Sequence, residues 1–159
     1  MTAATEKRWE WDVVEPGPSG EPFMSEVTSD SVAAYARRVR NANPAYAECR
    51  LGDLAMPTEI FSDAPLPRNA VAKASGFVAL EWVEENPRQT PFAQCTVRWF
   101  APVRVGDTIT SSARVIEKYE RRGNKFVTFR IEAVNQHGMK VAEYDYSCIF
   151  EYAKGQKSW

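Results

Sequence analysis

Side chains able to move a proton near neutral pH are few in this chain. His137 is the one histidine among 159 residues, and it lies in the turn-forming run Asn135-Gln136-His137-Gly138. A lone turn histidine normally faces solvent, so His137 receives no catalytic assignment. Cys49, Cys95 and Cys148 are odd in number and widely spaced. Metal centres place Cys and His in close pairs, and a nucleophilic thiol needs a base beside it. Neither pattern occurs, so no metal site is assigned, and the thiols are read as reduced and buried or half-buried. Carboxylates are the better candidates. Glu59, with Asp53 and Asp63 near it in sequence, falls in a proline-punctuated stretch that contains Leu54-Ala55-Met56-Pro57-Thr58-Glu59-Ile60-Phe61. Such a group serves as a base at neutral pH only if burial raises its pKa; the ordinary alternative is a solvated loop acid. Lys118, Arg121, Arg122 and Lys125 gather around one hairpin. They are read as a solvated tip, with phosphates or an acidic protein face as the alternative partner.

The elements that position these groups follow from periodicity. Trp9, Trp11 and Val13 alternate with charged residues, which fits a short strand or an extended arm. The run from Glu15 to Pro22 breaks regular structure. Thr28, Ser29 and Asp30 offer capping oxygens for a helix whose apolar face holds Val32, Tyr35, Ala36 and Val39. That helix should end near Asn41, before Asn43-Pro44. Residues 51–67 read as irregular. Asn69 to Glu85 reads as the longest helix, striped by Val71, Ala74, Val78 and Trp82, with small residues that let a sheet approach. Pro87 ends it. The rest alternates as strands: Ala93, Cys95, Val97 and Trp99 share a face; Ile109, Ala113 and Val115 share the next; then Val127, Phe129, Ile131 and Ala133; then Ala142, Tyr144, Tyr146, Cys148, Phe150 and Tyr152. Short turns at 121–124 and 135–138 make these strands antiparallel neighbours. The expected fold is α+β: a single domain in which a curved antiparallel sheet wraps one long central helix.

Two segments carry a family resemblance. Val97-Arg98-Trp99-Phe100-Ala101-Pro102-Val103-Arg104-Val105-Gly106-Asp107-Thr108-Ile109 is similar to the segment that opens the strand meander of MaoC-like hot-dog hydratases and dehydratases. Ile131 to Gly138 resembles that family's strand into an Asn-x-x-Gly turn, and Gly20-Glu21-Pro22-Phe23 with the helix from Glu26 to Arg40 resembles its N-terminal half. The resemblance runs from Pro22 to Tyr152. It implies an N-terminal arm at 1–21, a hot-dog domain at 22–153 and a tail at 154–159. It also implies chemistry on acyl thioesters of coenzyme A or a carrier protein, with no further cofactor. The family's signature is Asp, any residue, Asn, Pro, any residue, His, whose Asp and His act together on a water. Here the run is Asn41-Ala42-Asn43-Pro44-Ala45-Tyr46. Asn43 and Pro44 match, but Asn41 and Tyr46 occupy the Asp and His positions. Asn takes no proton, and a tyrosine titrates near ~10. Loss of a base costs on the order of 10²–10⁴ in rate, so hydratase chemistry at this position should be weak or absent. Pro57, Thr58 and Asp63 fall where the family has its substrate-facing loop, and Glu59 is the candidate replacement carboxylate.

Composition excludes some classes of function. With 20 basic and 21 acidic residues mixed along the chain, no basic stripe marks a nucleic-acid partner. No apolar run is long enough to span a bilayer, and Met1 to Lys7 lacks the apolar core of a signal peptide, so a cytoplasmic protein is expected. The resemblance extends to the accessory, non-catalytic subunits of the hydroxyacyl-carrier-protein dehydratase of mycolic-acid synthesis. It implies the non-catalytic or remodelled subunit of an enoyl-CoA hydratase or 3-hydroxyacyl dehydratase complex, dimeric with itself or with another hot-dog protein. Two alternatives stand beside it: a stand-alone hydratase, lyase, isomerase or thioesterase that uses a replacement residue, and a non-enzymatic binding or scaffold module.

Overall fold

A computed structural model describes residues 6–17 and 19–155. Residues 1–5, Pro18 and residues 156–159, which include parts of the expected arm and tail, lie outside the described residues. Five strands, β1 (Phe23–Glu26), β2 (Phe92–Trp99), β3 (Thr108–Arg121), β4 (Asn124–Val134) and β5 (Lys140–Glu151), form one antiparallel sheet in the order β1-β3-β4-β5-β2. Alternation sets the buried face. Ile109, Ala113 and Val115 on β3, Val127, Phe129, Ile131 and Ala133 on β4, and Ala142, Tyr144, Cys148 and Phe150 on β5 are all buried. The turn between β3 and β4 has two residues, Arg122 and Gly123, both at positive φ (52° and 78°), the backbone that matches strand twist in tight hairpins. In the next turn the Asn135 side chain accepts from the His137 and Met139 amides.

Three helices lie outside the sheet: α1 (Ser29–Arg38), the short α2 (Pro44–Ala47) and α3 (Pro65–Ala74). The helix against the sheet is α3, and it differs from the expected 69–85. It starts earlier because Pro65 and Pro67 sit in the first turn, where a missing N–H breaks no bond. It stops at Ala74 because Gly76, at φ +82°, closes it: the Gly76 amide donates to the Lys73 carbonyl and the Phe77 amide to that of Ala72. Gly76 is thus a helix terminator rather than one of the small residues under a sheet. Residues beyond it form an irregular crossing to β2, which leaves Trp82 exposed.

That crossing is tied to α3 by a buried ion pair. Arg68 reaches Glu81 at 3.1 Å, and its guanidinium also donates to Cys148 Sγ and to the Thr90 carbonyl. Where a short strand or an extended arm was expected at the N-terminus, the chain makes a single bridge from Arg8 to Val78, followed by a 3-10 turn at Trp11–Val13. The two tryptophans still anchor the arm. Trp9 is buried with its ring 5.8 Å from both Phe129 and Phe150, and Trp11 donates from its indole N–H to the Phe126 carbonyl. Lys118 and Lys125 lie over the Trp11 ring, so half of the basic hairpin cluster clamps the arm rather than standing free in solvent. Gly20 passes so close to α3 that a Cβ would come within 2.5 Å of the Ala70 carbonyl carbon and the Val71 amide. Only glycine allows that approach.

β1 was not anticipated; its four residues pair with β3 just where the helix was expected to open at Glu26. Trp99, expected on the core face, is 43% exposed because β2 is an edge strand.

Candidate functional site

Thr28 caps α1, accepting from the Ser31 amide, while the Ser31 hydroxyl accepts from the Thr28 amide. This reciprocal cap fixes Ser31 on the first turn, facing a 3-10 segment at Pro57–Asp63 that runs through Ala64 directly into α3. Glu59 of that segment places Oε1 2.8 Å from Ser31 Oγ. Nearby, the Tyr35 hydroxyl donates to Thr58 Oγ1 at 2.9 Å, a second tie between α1 and the segment.

A cavity of about 180 Å³ opens between α1, β1 and the 3-10 segment. Pro57, Glu59 and Asp63 line it together with Ser31, Tyr35 and Arg38. Burial raises the pKa of Glu59 above the usual carboxylate range, and neighbouring Asp63 pushes the same way; the Ser31 bond and the Arg38 charge oppose them. The Ser31 hydroxyl has one proton and two acceptors within reach, Glu59 Oε1 and the Thr28 carbonyl at 3.0 Å. Glu59 Oε2 is shielded from water and has no hydrogen-bond partner among the described residues.

The Asn41–Tyr46 segment lies apart from this lining. Arg40, at φ +56°, turns the chain out of α1, and the Asn41 amide returns to the Ala36 carbonyl at 2.8 Å. Asn41 Oδ1 accepts from the Asn43 amide, and its Nδ2 lies 3.7 Å from Met56 Sδ. Asn43 caps α2 by accepting from the Ala45 amide, with Pro44 in the first position. Tyr46 packs, partly buried, against the core. Thus the structure brings Pro57, Glu59 and Asp63 to one cavity, sets Thr58 beside it through Tyr35, and leaves Asn41 and Tyr46 in local structural roles. Asn41 still touches that region through Met56, which also lines the cavity.

Ser31, Tyr35 and Arg38 were missed as site residues. The Thr28-to-Ser31 spacing announces a cap, but nothing local shows that the cap faces a carboxylate 28 residues further on.

His137 is exposed in its turn. Burial pushes the Cys148 thiol up to about 11 and raises that of Cys95, so neither is a nucleophile near neutral pH. Among the described residues, no group of three or more His, Cys, Asp or Glu is placed to hold a metal ion, and no helix is long and apolar enough to cross a membrane.

The profile of the FAS1-like dehydratase domain region matches residues 16–144. The chain belongs to this dehydratase family. Solved structures agree on the fold. The monoamine oxidase regulatory protein of Archaeoglobus fulgidus is similar at TM-score 0.68 and 20% identity, covering 95% of this chain and 99% of that one. The unliganded R-hydratase PhaJ1 of Pseudomonas aeruginosa gives 0.60 and 19%, over 94% and 92% of the two chains. The C-terminally truncated HadBC complex of Mycobacterium tuberculosis, a 3R-hydroxyacyl-ACP dehydratase, gives 0.61 and 18%, over 84% and 96%. Comparison with curated protein sequences finds no significant match. The fold is therefore the hot-dog, a five-stranded antiparallel sheet around a helix, as in solved structures of R-hydratases and of a MaoC-like dehydratase.

Proposed function

We propose that this member of the hot-dog dehydratase family binds an acyl thioester, of coenzyme A or of a carrier protein. In this reading it serves as the non-catalytic, remodelled subunit of an enoyl-CoA hydratase or 3-hydroxyacyl dehydratase complex. The observation that carries the proposal is the state of the Asn41–Tyr46 segment. The two positions that hold the acid–base pair in active relatives carry an amide and a phenol here. The amide is engaged with the backbone, and the phenol belongs to a side chain packed on the core.

The partner is a second hot-dog protein that keeps the Asp/His pair. The apolar edge of the sheet supports this. On the edge strand β2 and just after it, Phe92, Trp99 and the adjacent Phe100 are 53%, 43% and 56% exposed. An exposed strand edge with large apolar side chains favours being covered by another chain. Co-expression with the Asp/His-bearing hot-dog proteins of the same organism tests it. A heteromer that turns over enoyl thioesters, and that falls silent when the partner's pair is removed, is expected. A chain that forms only homo-oligomers and retains none of these partners contradicts it.

One observation favours a second reading, a stand-alone enzyme: Glu59 is a shielded carboxyl group of raised pKa on a cavity wall, as a replacement acid–base requires. Turnover by the chain alone that disappears in Glu59→Gln would select that reading.

A further inference from the structure

A groove of about 340 Å³ runs between α3 and the crossing that follows it. It has nearly twice the volume of the cavity beside Glu59, about 180 Å³, and shares no lining residue with it. Where α3 buries Pro67, Arg68, Val71 and Ala72, the groove takes the stripe Leu66, Asn69, Ala70 and Lys73, at i, i+3, i+4 and i+7. The crossing adds Phe77 and Trp82. Trp82 is 64% exposed and Leu66 39%. Large apolar side chains left in water around a groove mark a contact surface rather than core.

Asn69 and Lys73 are the only polar residues among the described residues that line it, and they stand one turn apart on the same face of α3. The lining holds no acid, so nothing within it neutralises the Lys73 ammonium. A helix C-terminus favours a cation, which explains Lys73 as part of α3 but not the apolar bed around it. Small-molecule sites have this make-up: mostly apolar walls, with a few polar groups that fix one end of the ligand. An ammonium only donates, and a carboxamide has an NH2 to add, so the end they fix is an anionic acceptor. The eight lining residues fall well short of the roughly 20–30 a side of a stable protein interface, which favours a small molecule over a second copy of the chain.

We infer that this groove binds an amphipathic carboxylate of the fatty-acid type, its alkyl body against Leu66, Phe77 and Trp82 and its carboxylate at Lys73 and Asn69. The ligand is a free acid, ionised at neutral pH, rather than a thioester. The site is separate from the cavity beside Glu59, and the inference stands apart from the acyl-thioester reading.

Calorimetric titration of the purified chain tests it, with decanoate, decanol and decyltrimethylammonium, each below its micelle concentration. Decanoate should bind at least about threefold more tightly than decanol and at least about tenfold more tightly than the cation. Lys73→Glu should reverse the order of the two ions, and Trp82→Ala should weaken decanoate and decanol alike by about tenfold. Both side chains are exposed, so neither change threatens the fold. Butanoyl-CoA should leave decanoate binding unchanged. Equal binding of the three probes, no saturable binding of decanoate, or a carboxylate preference that survives Lys73→Glu overturns the inference. Displacement of decanoate by butanoyl-CoA overturns the separateness of the site. Self-association that is lost in Trp82→Ala and is unaffected by decanoate gives the groove to a second copy, and overturns it too.

Discussion

Two segments that flank the same helical layer use their polar groups in opposite ways. Between Asn41 and Tyr46, both asparagine side chains accept from backbone amides, and the segment closes one helix and opens the next. Between Pro57 and Asp63, a half-buried carboxyl group has one oxygen shielded from water and unmatched among the described residues, beside a cavity. In the function proposed above, the first segment is scaffold at the positions that match the Asp and His of the family signature. The second holds polar capacity that folding has not consumed. Position in a family motif and availability for chemistry are therefore separate properties, and hydrogen-bond accounting tells them apart.

The strongest way to break this comparison is through the support of the second segment. It runs straight into α3, and α3 is pinned by the Arg68–Glu81 pair. Glu81→Ala leaves the Arg68 charge buried and unpaired, so urea unfolding should show a loss of roughly 3–5 kcal/mol. A loss below about 1 kcal/mol would show that α3 is held by other means.

A smaller effect tests the scaffold role of the first segment. Asn43→Ala removes the α2 cap and should cost about 1 kcal/mol, with thioester affinity unchanged. A drop in affinity without a drop in stability would place that segment back in the site.

The pH dependence of stability sharpens the contrast. The folded-state pKa of Glu59 is raised by burial, so above the ordinary value of 4.5 the folded protein holds a proton that the unfolded chain releases. Stability from this group is present below that value and is lost as pH rises through the folded pKa. Glu59→Gln does not titrate, so its denaturation midpoint should gain on that of the unaltered protein as pH rises from 4, then run parallel. A gap that stays constant across the range would mean that Glu59 is not desolvated.

The smallest effect concerns Arg40, whose left-handed backbone ends α1. Arg40→Gly should raise stability by less than about 1 kcal/mol, because glycine adopts that conformation without strain.

Strand alternation made the sheet legible in sequence. Val127, Phe129, Ile131 and Ala133 share the buried face as their spacing required, and the 121–124 turn falls where Gly123-Asn124 marks it. The helices were less legible. Gly76 carries no sign in its immediate neighbours that it terminates a helix, and prolines 65 and 67 look like breakers until their place in the first turn is known. Glu59 was visible as a residue type in a suspect loop. Its cavity was not, because Ser31, Tyr35 and Arg38 come from another helix and face it only through tertiary packing. Exposed Trp99 teaches the same lesson for edges: alternation marks the face of a strand, not whether a neighbour covers it.

The most direct test of the central claim is hydration of a panel of enoyl-CoA thioesters by the purified chain alone, with an Asp/His-bearing homologue as control. The account predicts no turnover by this chain while the control is active, and turnover once a hot-dog partner carrying the pair is added. Clear turnover by the chain alone would contradict it.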